Sequence, residues 1–192
     1  MPDRVRWVLA LVQLPSQPSR YRVAVWRELR RAGAVPVAAG AWALPAVAAV
    51  QPAIDRAAEI CRSGGGTFAL ADVALRDTES EATIEAAFVA ARLDEWSEFE
   101  ADCGKFEAEI AREIAKQKFT FGELEEEEQS LDRLRRWFRD LKRRDVLELR
   151  EARQAEHRLH GCQALLQDYA ERVYSAMRSA APFADVTDHP PE

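Results

Sequence analysis

The chain has few cysteines and histidines and has no long uninterrupted apolar run. Its 192 residues include three cysteines and three histidines, and Cys61, Cys103 and Cys162 lie far apart. An odd, sparse set of thiols argues against a disulfide framework and predicts reduced, buried side chains. No apolar run reaches the roughly 18 residues of a membrane helix, so we expect no transmembrane segment. Charges interrupt the N-terminal apolar run, which excludes an ordinary signal peptide and predicts a cytoplasmic protein.

The one cluster of metal-ligand residue types is formed by His157, His160 and Cys162. On a helix the two histidines are neighbours, whereas the cysteine points elsewhere, and no further ligand follows at zinc-site spacing. We therefore predict neither a metal site nor a cofactor. No Ser–His–Asp or Cys–His spacing indicates an activated nucleophile, so we predict no catalytic residues.

Charge is divided unevenly along the chain, whose net charge is −6. Residues 1–76 hold 10 Arg and Lys against 5 Asp and Glu, and the remainder holds 17 against 28. A basic first part and an acidic second part predict different surfaces for different partners. The alternative is that long exposed helices simply carry many Glu–Arg pairs.

The N-terminal stretch predicts a buried strand followed by an arginine-rich helix. The apolar run Val5–Leu14 has the length of a strand. The segment Ser16–Ser19 predicts a helix start with hydroxyl caps and an early proline, and Gly33 predicts the end of that helix. The predicted apolar side of the helix is Val25, Trp26, Leu29 and Ala32.

Four further elements complete a predicted sheet domain over residues 1–76. They are strands at Ala34–Ala39, Ala41–Leu44 and Thr67–Val73 and a helix at 46–62. Pro36 makes the first of these an edge or bulged strand, and Pro52 predicts a helix start near Gln51 or a kink. The order of elements is that of a ferredoxin-like βαββαβ sandwich, an antiparallel sheet with two helices on one face. The C-terminal helices or a second copy must cover the other face.

From Thr78 onward the apolar residues recur at helical spacing only. We predict three helices over residues 77–181 that form an antiparallel hairpin or three-helix bundle packed on the sheet, in one α+β protein. Phe99, Cys103, Phe106 and Ile110 follow coiled-coil-like steps of 4, 3 and 4. The predicted inner face of the third helix is Leu149, Ala152, Glu156, Leu159, Gln163, Leu166, Ala170, Val173 and Met177. Residues 182–192 are predicted to be a disordered tail.

Five arginines on the first helix form the strongest candidate site. They are Arg20, Arg22, Arg27, Arg30 and Arg31. Positions 20, 27 and 31 lie close to one helical face, with position 30 on its flank. Guanidinium groups suit phosphate oxygens, and several together give salt-dependent affinity for a nucleic-acid backbone. The alternative is a solvated helix face, paired with the acidic C-terminal helices.

Several strings of the sequence resemble the N-terminal domain of the chromate-resistance regulator family (ChrB). The matching strings are QLPSQPSRYRVAVWR at Gln13–Arg27, AARLDEWSEFEADC at 90–103, KFTFGELEEEEQSLDRLRRWF at 118–138 and YAERVY at 169–174. The first string is the most specific, and the resemblance spans about Trp7 to Tyr174. Longer members of the family carry a second, chromate-resistance domain, so we expect this chain to be a short form without it.

The resemblance implies a non-catalytic, DNA-binding regulator of a chromate-efflux operon. We expect a homodimer in which the first-helix arginines of each copy contact DNA phosphates. Nucleases with a ferredoxin-like order place a metal-binding carboxylate at the end of the first strand. The segment Val12–Leu14 offers no acid there, so an enzyme is the least favoured hypothesis. The competing hypothesis is a protein-interaction or dimerisation module that uses the C-terminal helices and does not bind DNA.

A tetrahedral oxyanion such as chromate or sulfate is the second ligand that the family suggests. Such a dianion favours arginine forks, hydroxyls and helix N-termini. The weaker candidates for this role are Ser19, Arg20, Arg136 and Arg143. For the arginine cluster over Arg133–Arg144, the alternative is pairing with nearby glutamates. The sequence leaves open whether the anion is sensed without the second domain.

Overall fold

The computed structural model describes residues 6–180, and in that range helix predominates over strand. The strands are β1 (Trp7–Gln13), β2 (Val35–Ala38), β3 (Ala41–Pro45) and β4 (Thr67–Val73). The α-helices are α1 (Ser19–Arg31), α2 (Gln51–Ser63), α3 (Thr78–Ala115), α4 (Phe121–Arg144) and α5 (Arg150–Ala180). A 3₁₀ turn at Ala48–Val50 precedes α2. The predicted disordered tail lies outside the described residues.

The described residues divide into two compact units. Unit 1 comprises the residues up to Glu98 together with Trp137–Gln154, and unit 2 comprises Phe99–Arg136 together with the residues from Ala155 onward. Unit 1 therefore holds the sheet, α1, α2 and the first part of α3, whereas unit 2 consists of helices and their connections. The predicted domain boundary between residues 76 and 77, and the packing of a helical bundle on the sheet, stay predictions.

The sheet of unit 1 is antiparallel, with the strand order β2-β3-β1-β4. In the centre, Leu9 of β1 lies opposite Ala43 of β3 on one side and opposite Ala71 of β4 on the other. β2 is an edge strand whose register shifts between Pro36 and Ala38. Proline has no N–H to donate, so it is tolerated at an edge or a bulge. The prediction that this strand is an edge or bulged strand is confirmed.

The alternation of side chains along β1 supplies two separate cores. On one face, Ala10 packs with Leu29 of α1 and Ile54 of α2. On the other face, Trp7 packs edge-on against Phe88 of α3, with the ring centroids 5.4 Å apart. The first part of α3 thus covers the face that α1 and α2 leave open, which is one of the two covers that the sequence predicted.

Unit 2 buries the coiled-coil-like stripe predicted for α3. The buried residues of that stripe are Phe99, Cys103, Phe106 and Ile110. Arg158 of α5 holds Glu107 of α3 with two hydrogen bonds, donated from Nε over 3.0 Å and from Nη2 over 2.9 Å. The Tyr169 hydroxyl donates to the carbonyl oxygen of Lys118 over 2.5 Å, and its ring packs on Phe119. A fork of charged hydrogen bonds and an aromatic pair therefore fix α5 within this unit.

Two local predictions are wrong. Pro18 occupies the N-cap of α1, and among residues 6–180 no side chain caps that end of the helix. In α5 three buried residues differ from the predicted inner face. Ala155, Cys162 and Tyr169 are buried, each one position before the residue that was predicted. The predicted face included Glu156 and Gln163, and burying two polar groups without partners would cost more free energy than a small rotation of the helix.

The cysteines are all free and buried, as the sequence predicted. The Cys61 Sγ lies 3.4 Å from the carbonyl oxygen of Thr67. In unit 2, the Cys162 Sγ lies 3.9 Å from the carbonyl oxygen of Cys103. Burial raises the pKa of Cys61, and a hydrogen bond with Cys162, together with burial, raises the pKa of Cys103. Cys61 and Cys103 are therefore protonated thiols at neutral pH and poor nucleophiles.

Candidate nucleic-acid interface

All five predicted arginines of α1 are exposed to solvent. The exposed residues are Arg20, Arg22, Arg27, Arg30 and Arg31. Val25, Leu29 and Ala32 recur every three or four residues and are buried in the core beneath the helix. This apolar stripe fixes the rotation of the helix about its axis. Arg20, Arg27 and Arg31 therefore lie on the helix side opposite this stripe, whereas Arg22, three residues before Val25, is exposed beyond the N-terminal end of the stripe.

Within the described part of the chain, Arg31 is the member of this set that forms an ion pair. Its Nη1 lies 3.0 Å from Glu28 Oε1. Arg56 of α2 reaches the other oxygen of the same carboxylate, with its Nε 3.0 Å from Oε2. Among residues 6–180, no carboxylate lies within ion-pair distance of the other four arginines of the set. Four guanidinium groups of α1 thus keep their charge available to an external anion.

Apolar side chains are exposed between the arginines of α1. Trp26 is 49% exposed and Val23 is 45% exposed. Val23, Trp26, Arg27 and Arg30 are spaced as i, i+3, i+4 and i+7 and therefore share one face. The Arg30 guanidinium lies over the Trp26 ring, 5.7 Å from its centroid. The prediction that Trp26 belongs to the buried side is wrong, because this residue is turned about 100° around the helix from Val25.

A buried charge cluster fixes the C-terminal end of α1. Gly33 follows the helix with φ of +78°, and its carbonyl oxygen accepts a hydrogen bond from Arg92 Nη1 over 3.0 Å. Glu95 Oε2 lies 2.9 Å from Arg92 Nε and 3.0 Å from Arg144 Nε. Burial lowers the pKa of the Arg92 guanidinium, and the charge of Glu95 raises it. The cluster therefore ties the last turn of α1 to α3 and α4 within unit 1.

The role of Arg92 is not evident from its position in the sequence. An arginine with a glutamate three residues later is the usual pattern of an exposed helix pair. The signal that could have found it is its position four residues after Phe88 and four before Trp96, both on the buried stripe of α3. The Arg92 guanidinium also stacks over the Phe88 ring, 4.7 Å from its centroid. Arg92 is consequently part of the core and not of the solvated face.

The arginines of α4 that were proposed for anion binding contact their own helix. Arg136 Nε donates to the carbonyl oxygen of Asp132 over 3.3 Å, and Arg143 forms an ion pair with Asp140. Arg136 belongs to unit 2 and Arg143 to unit 1. Exposed pairs of this kind contribute little to stability. Oxyanion binding by these two residues stays a prediction.

The other two proposed anion ligands, Ser19 and Arg20, form the first turn of α1. The Arg20 guanidinium lies over the Tyr21 ring, 4.9 Å from its centroid, and its Nη2 is 3.3 Å from the Tyr21 hydroxyl oxygen. This stacking orients the guanidinium without neutralising it. Anion binding at this helix end also stays a prediction.

The residues suggested by their type for metal binding are dispersed. His157 and His160 are exposed, whereas Cys162 is buried. Over residues 6–180, no three His, Cys, Asp or Glu side chains are grouped so that they could hold a metal ion. None of the helices in the same range combines the length and the apolar composition that crossing a membrane requires.

Comparison with known proteins adds one finding to this geometry. Residues 22–180, from within α1 to the end of α5, match the family model described as "Protein ChrB, N-terminal". No curated protein and no solved structure gave a match. The matched range includes four of the five α1 arginines and the buried Arg92. Since it covers most of the chain and agrees with the resemblance seen in the sequence, the chain belongs to the ChrB N-terminal family, a chromate-resistance regulatory family.

Proposed function

We propose that this chain regulates a chromate-efflux operon by binding its promoter DNA through α1, without catalysis and in the cytoplasm. The observation that carries the proposal is the set of four exposed arginines on α1 that have no ion pair within residues 6–180: Arg20, Arg22, Arg27 and Arg30. Family membership supplies the regulatory context. The exposed Trp26 and Val23 add apolar surface of the kind that contacts base edges in a groove.

The sheet and its two helices provide a rigid platform for this role. We infer that the part from β1 to β4 is a ferredoxin-like sandwich. The order of elements, the strand order β4-β1-β3-β2 and the shared core of α1 and α2 on one sheet face support that inference. Burial of Leu29 and the tie at Gly33 hold α1 in one orientation, so its arginines meet a polyanion with little loss of conformational entropy.

Salt-dependent binding of promoter DNA tests the proposal. For the double variant Arg20→Ala with Arg27→Ala, we expect the affinity at low salt to fall about tenfold or more. Each phosphate contact releases counterions, so the slope of log affinity against log salt should decrease by about 2 for the two lost contacts. Fluorescence anisotropy of a labelled fragment of the chain's own operon promoter, titrated at several salt concentrations, measures both quantities.

The matched control is Arg153→Ala with Arg178→Ala, two exposed arginines of α5. This variant loses the same formal charge, and its salt slope should stay within about 0.5 of the wild-type value. Equal losses in both double variants would mean that overall charge, and not α1, drives binding. Absence of wild-type binding at low salt would contradict the DNA-binding role. Repeating the titration with chromate and then with sulfate tests whether an oxyanion releases the DNA.

The competing function is a protein-interaction module that uses the long helices. The observation that favours it is a set of exposed apolar side chains in unit 2: Phe121, Leu165, Tyr174 and Met177. The Phe121 and Tyr174 rings also contact each other edge-on, with their centroids 5.5 Å apart. Normal DNA binding by a Phe121→Ala variant together with loss of binding by the α1 variant would favour the regulatory proposal over this one.

A further inference from the structure

The outer edge of β4 is a hydrogen-bonding edge that the described residues leave without a partner strand. β4 pairs with β1 over its whole length, from Thr67 opposite Gln13 to Val73 opposite Trp7, and within residues 6–180 it has no second neighbour. In a strand paired on one side, alternate residues direct their N–H and C=O groups outward. These groups form a row of donors and acceptors roughly 20 Å long.

The two edges of the sheet differ in how they are protected. β2 contains Pro36 and a register shift, both of which discourage pairing with another strand. β4 has the sequence TFALADV, which contains no proline and no lysine, and Asp72 is its one charged residue. A seven-residue edge of this composition is a ready template for another strand. Of the two edges, β4 therefore has fewer of the features that prevent pairing with another strand.

Exposed leucines lie on both faces of the sheet beside this edge. Leu70, in the middle of β4, is 45% exposed, and Leu11 of β1 is 46% exposed. Leu70 lies opposite Ala10, whereas Leu11 lies opposite Ala69, so the two leucines point to opposite faces. A strand added outside β4 would lie beside Leu70 on one face and beside the exposed Ala69 and Ala71 on the other, whereas Leu11 lies one strand further in.

A cavity lined by both polar and apolar groups, with Gln51 among the polar ones, opens next to Leu70. Its volume is about 330 Å³, and its lining includes Val8, Ile54 and Val47 as well as Leu70, with Asp72 also contributing. A strand added at the β4 edge would place its own side chains beside this cavity. The edge therefore offers main-chain hydrogen-bonding groups beside a cavity of mixed polarity.

We propose that two copies of this chain pair antiparallel through β4, with the two-fold axis at Leu70. In this register Leu70 lies opposite Leu70 of the second copy, Ala69 opposite Ala71 and Phe68 opposite Asp72, so the strand is self-complementary over its three central positions. The two Asp72 carboxylates would be about four residues apart along the strand direction, roughly 13 Å, where they repel little in water. An isologous pair closes on itself and gives a dimer, not a fibre.

A second copy is favoured over an unrelated peptide by this symmetry. Small and apolar residues occupy the three central positions, so the strand matches itself without any charged pair that would select another sequence. The pairing joins the two sheets and presents α1 twice in one particle.

Site-directed cross-linking tests the register. A Leu70→Cys variant should form a covalent dimer on oxidation with copper-phenanthroline or on treatment with a short bismaleimide, because residue 70 meets itself at the axis. The native cysteines are buried and do not compete. The matched control is Leu165→Cys on α5, which replaces another exposed leucine and should stay monomeric on a denaturing gel. Cross-linking of the control alone would assign the dimer to the helices and overturn the proposal.

The oligomeric mass gives an independent result. Light scattering after size-exclusion chromatography should give the mass of a dimer for the wild type and the mass of a monomer for Leu70→Lys. The lysine places a charge at the centre of the strand, which blocks edge pairing. Circular dichroism tests whether the Leu70→Lys variant is folded. If the variant is unfolded, the cross-linking of Leu70→Cys alone tests the β4 pairing. A stable dimer would be largely associated at a concentration of about 0.1 mM, so a monomeric wild type at that concentration would overturn the proposal. Retained promoter binding by that monomer would leave the function of α1 intact.

Discussion

Replacement of Arg92 by methionine is expected to lower the free energy of unfolding by about 3 to 5 kcal/mol. Arg92 is almost fully buried, and its guanidinium holds the carbonyl oxygen of Gly33 and the carboxylate of Glu95. Methionine fills similar space but leaves the carbonyl oxygen of Gly33 without the hydrogen bond from Arg92. Among the described residues, Arg144 is then the remaining ion-pair partner of Glu95. A buried acceptor and a half-compensated charge both destabilise the folded state.

Urea denaturation and thermal unfolding followed by circular dichroism measure this effect. The midpoint temperature should fall by roughly 10 °C for a chain of this size. Arg112→Met is the matched control, since Arg112 is an exposed arginine of the same helix that pairs with Glu109. Its effect should stay below about 1 kcal/mol. Equal effects of the two substitutions would contradict the role assigned to the buried cluster.

Replacement of Glu127 by glutamine is expected to stabilise the protein at alkaline pH. Glu127 lies on the inner side of α4 and is 6% exposed. Burial, followed by the charges of Glu109, Glu113, Glu123 and Glu126, raises the pKa of Glu127 to about 7. In the unfolded chain the same carboxyl titrates near 4.5. The folded state therefore binds a proton in the pH range where the unfolded state has lost it.

The sign of the pH dependence follows from this difference. The contribution of Glu127 to stability is fully present below about pH 4.5 and is lost as the pH rises through about 7. Glutamine cannot ionise, so the variant should be more stable than the wild type by about 3 kcal/mol at pH 8 and by less than about 1 kcal/mol at pH 5.

Thermal unfolding of both proteins at pH 5 and pH 8 checks this expectation. Glu125→Gln, an exposed carboxylate of the same helix, is the control and should change stability by less than about 0.5 kcal/mol at either pH. A pH-independent difference between Glu127→Gln and the wild type would show that packing, and not ionisation, is responsible.

Much of unit 1 could be predicted from residues that restrict the backbone. Pro36 marked an edge strand, Pro52 marked the start of α2 at its first turn, and Gly33 follows α1 with the positive φ that glycine tolerates. The bounds of β4 also agree with the prediction, because alternating small and apolar residues follow a glycine-rich turn. These are local signals, and local physics is enough to interpret them.

The residues that were missed depend on tertiary contacts. Arg92, Glu95 and Glu127 are charged, and a charged residue on a long helix is normally solvated. Their burial follows from packing against segments distant in sequence, which spacing alone does not reveal. The candidate site shows the same limit. The exposure of the α1 arginines could be predicted from the apolar stripe of the helix. The ion pair between Glu28 and Arg56 could not, because it joins two helices.

The distribution of the buried thiols gives the chain an internal measure of local unfolding. Cys61 belongs to unit 1, and Cys103 and Cys162 belong to unit 2. A thiol reagent modifies a buried cysteine when the surrounding structure opens, so its labelling rate reports the opening free energy of that region. Mass spectrometry of the modified peptides would therefore give one opening rate for the sheet unit and another for the helical unit, from a single experiment on the unaltered protein.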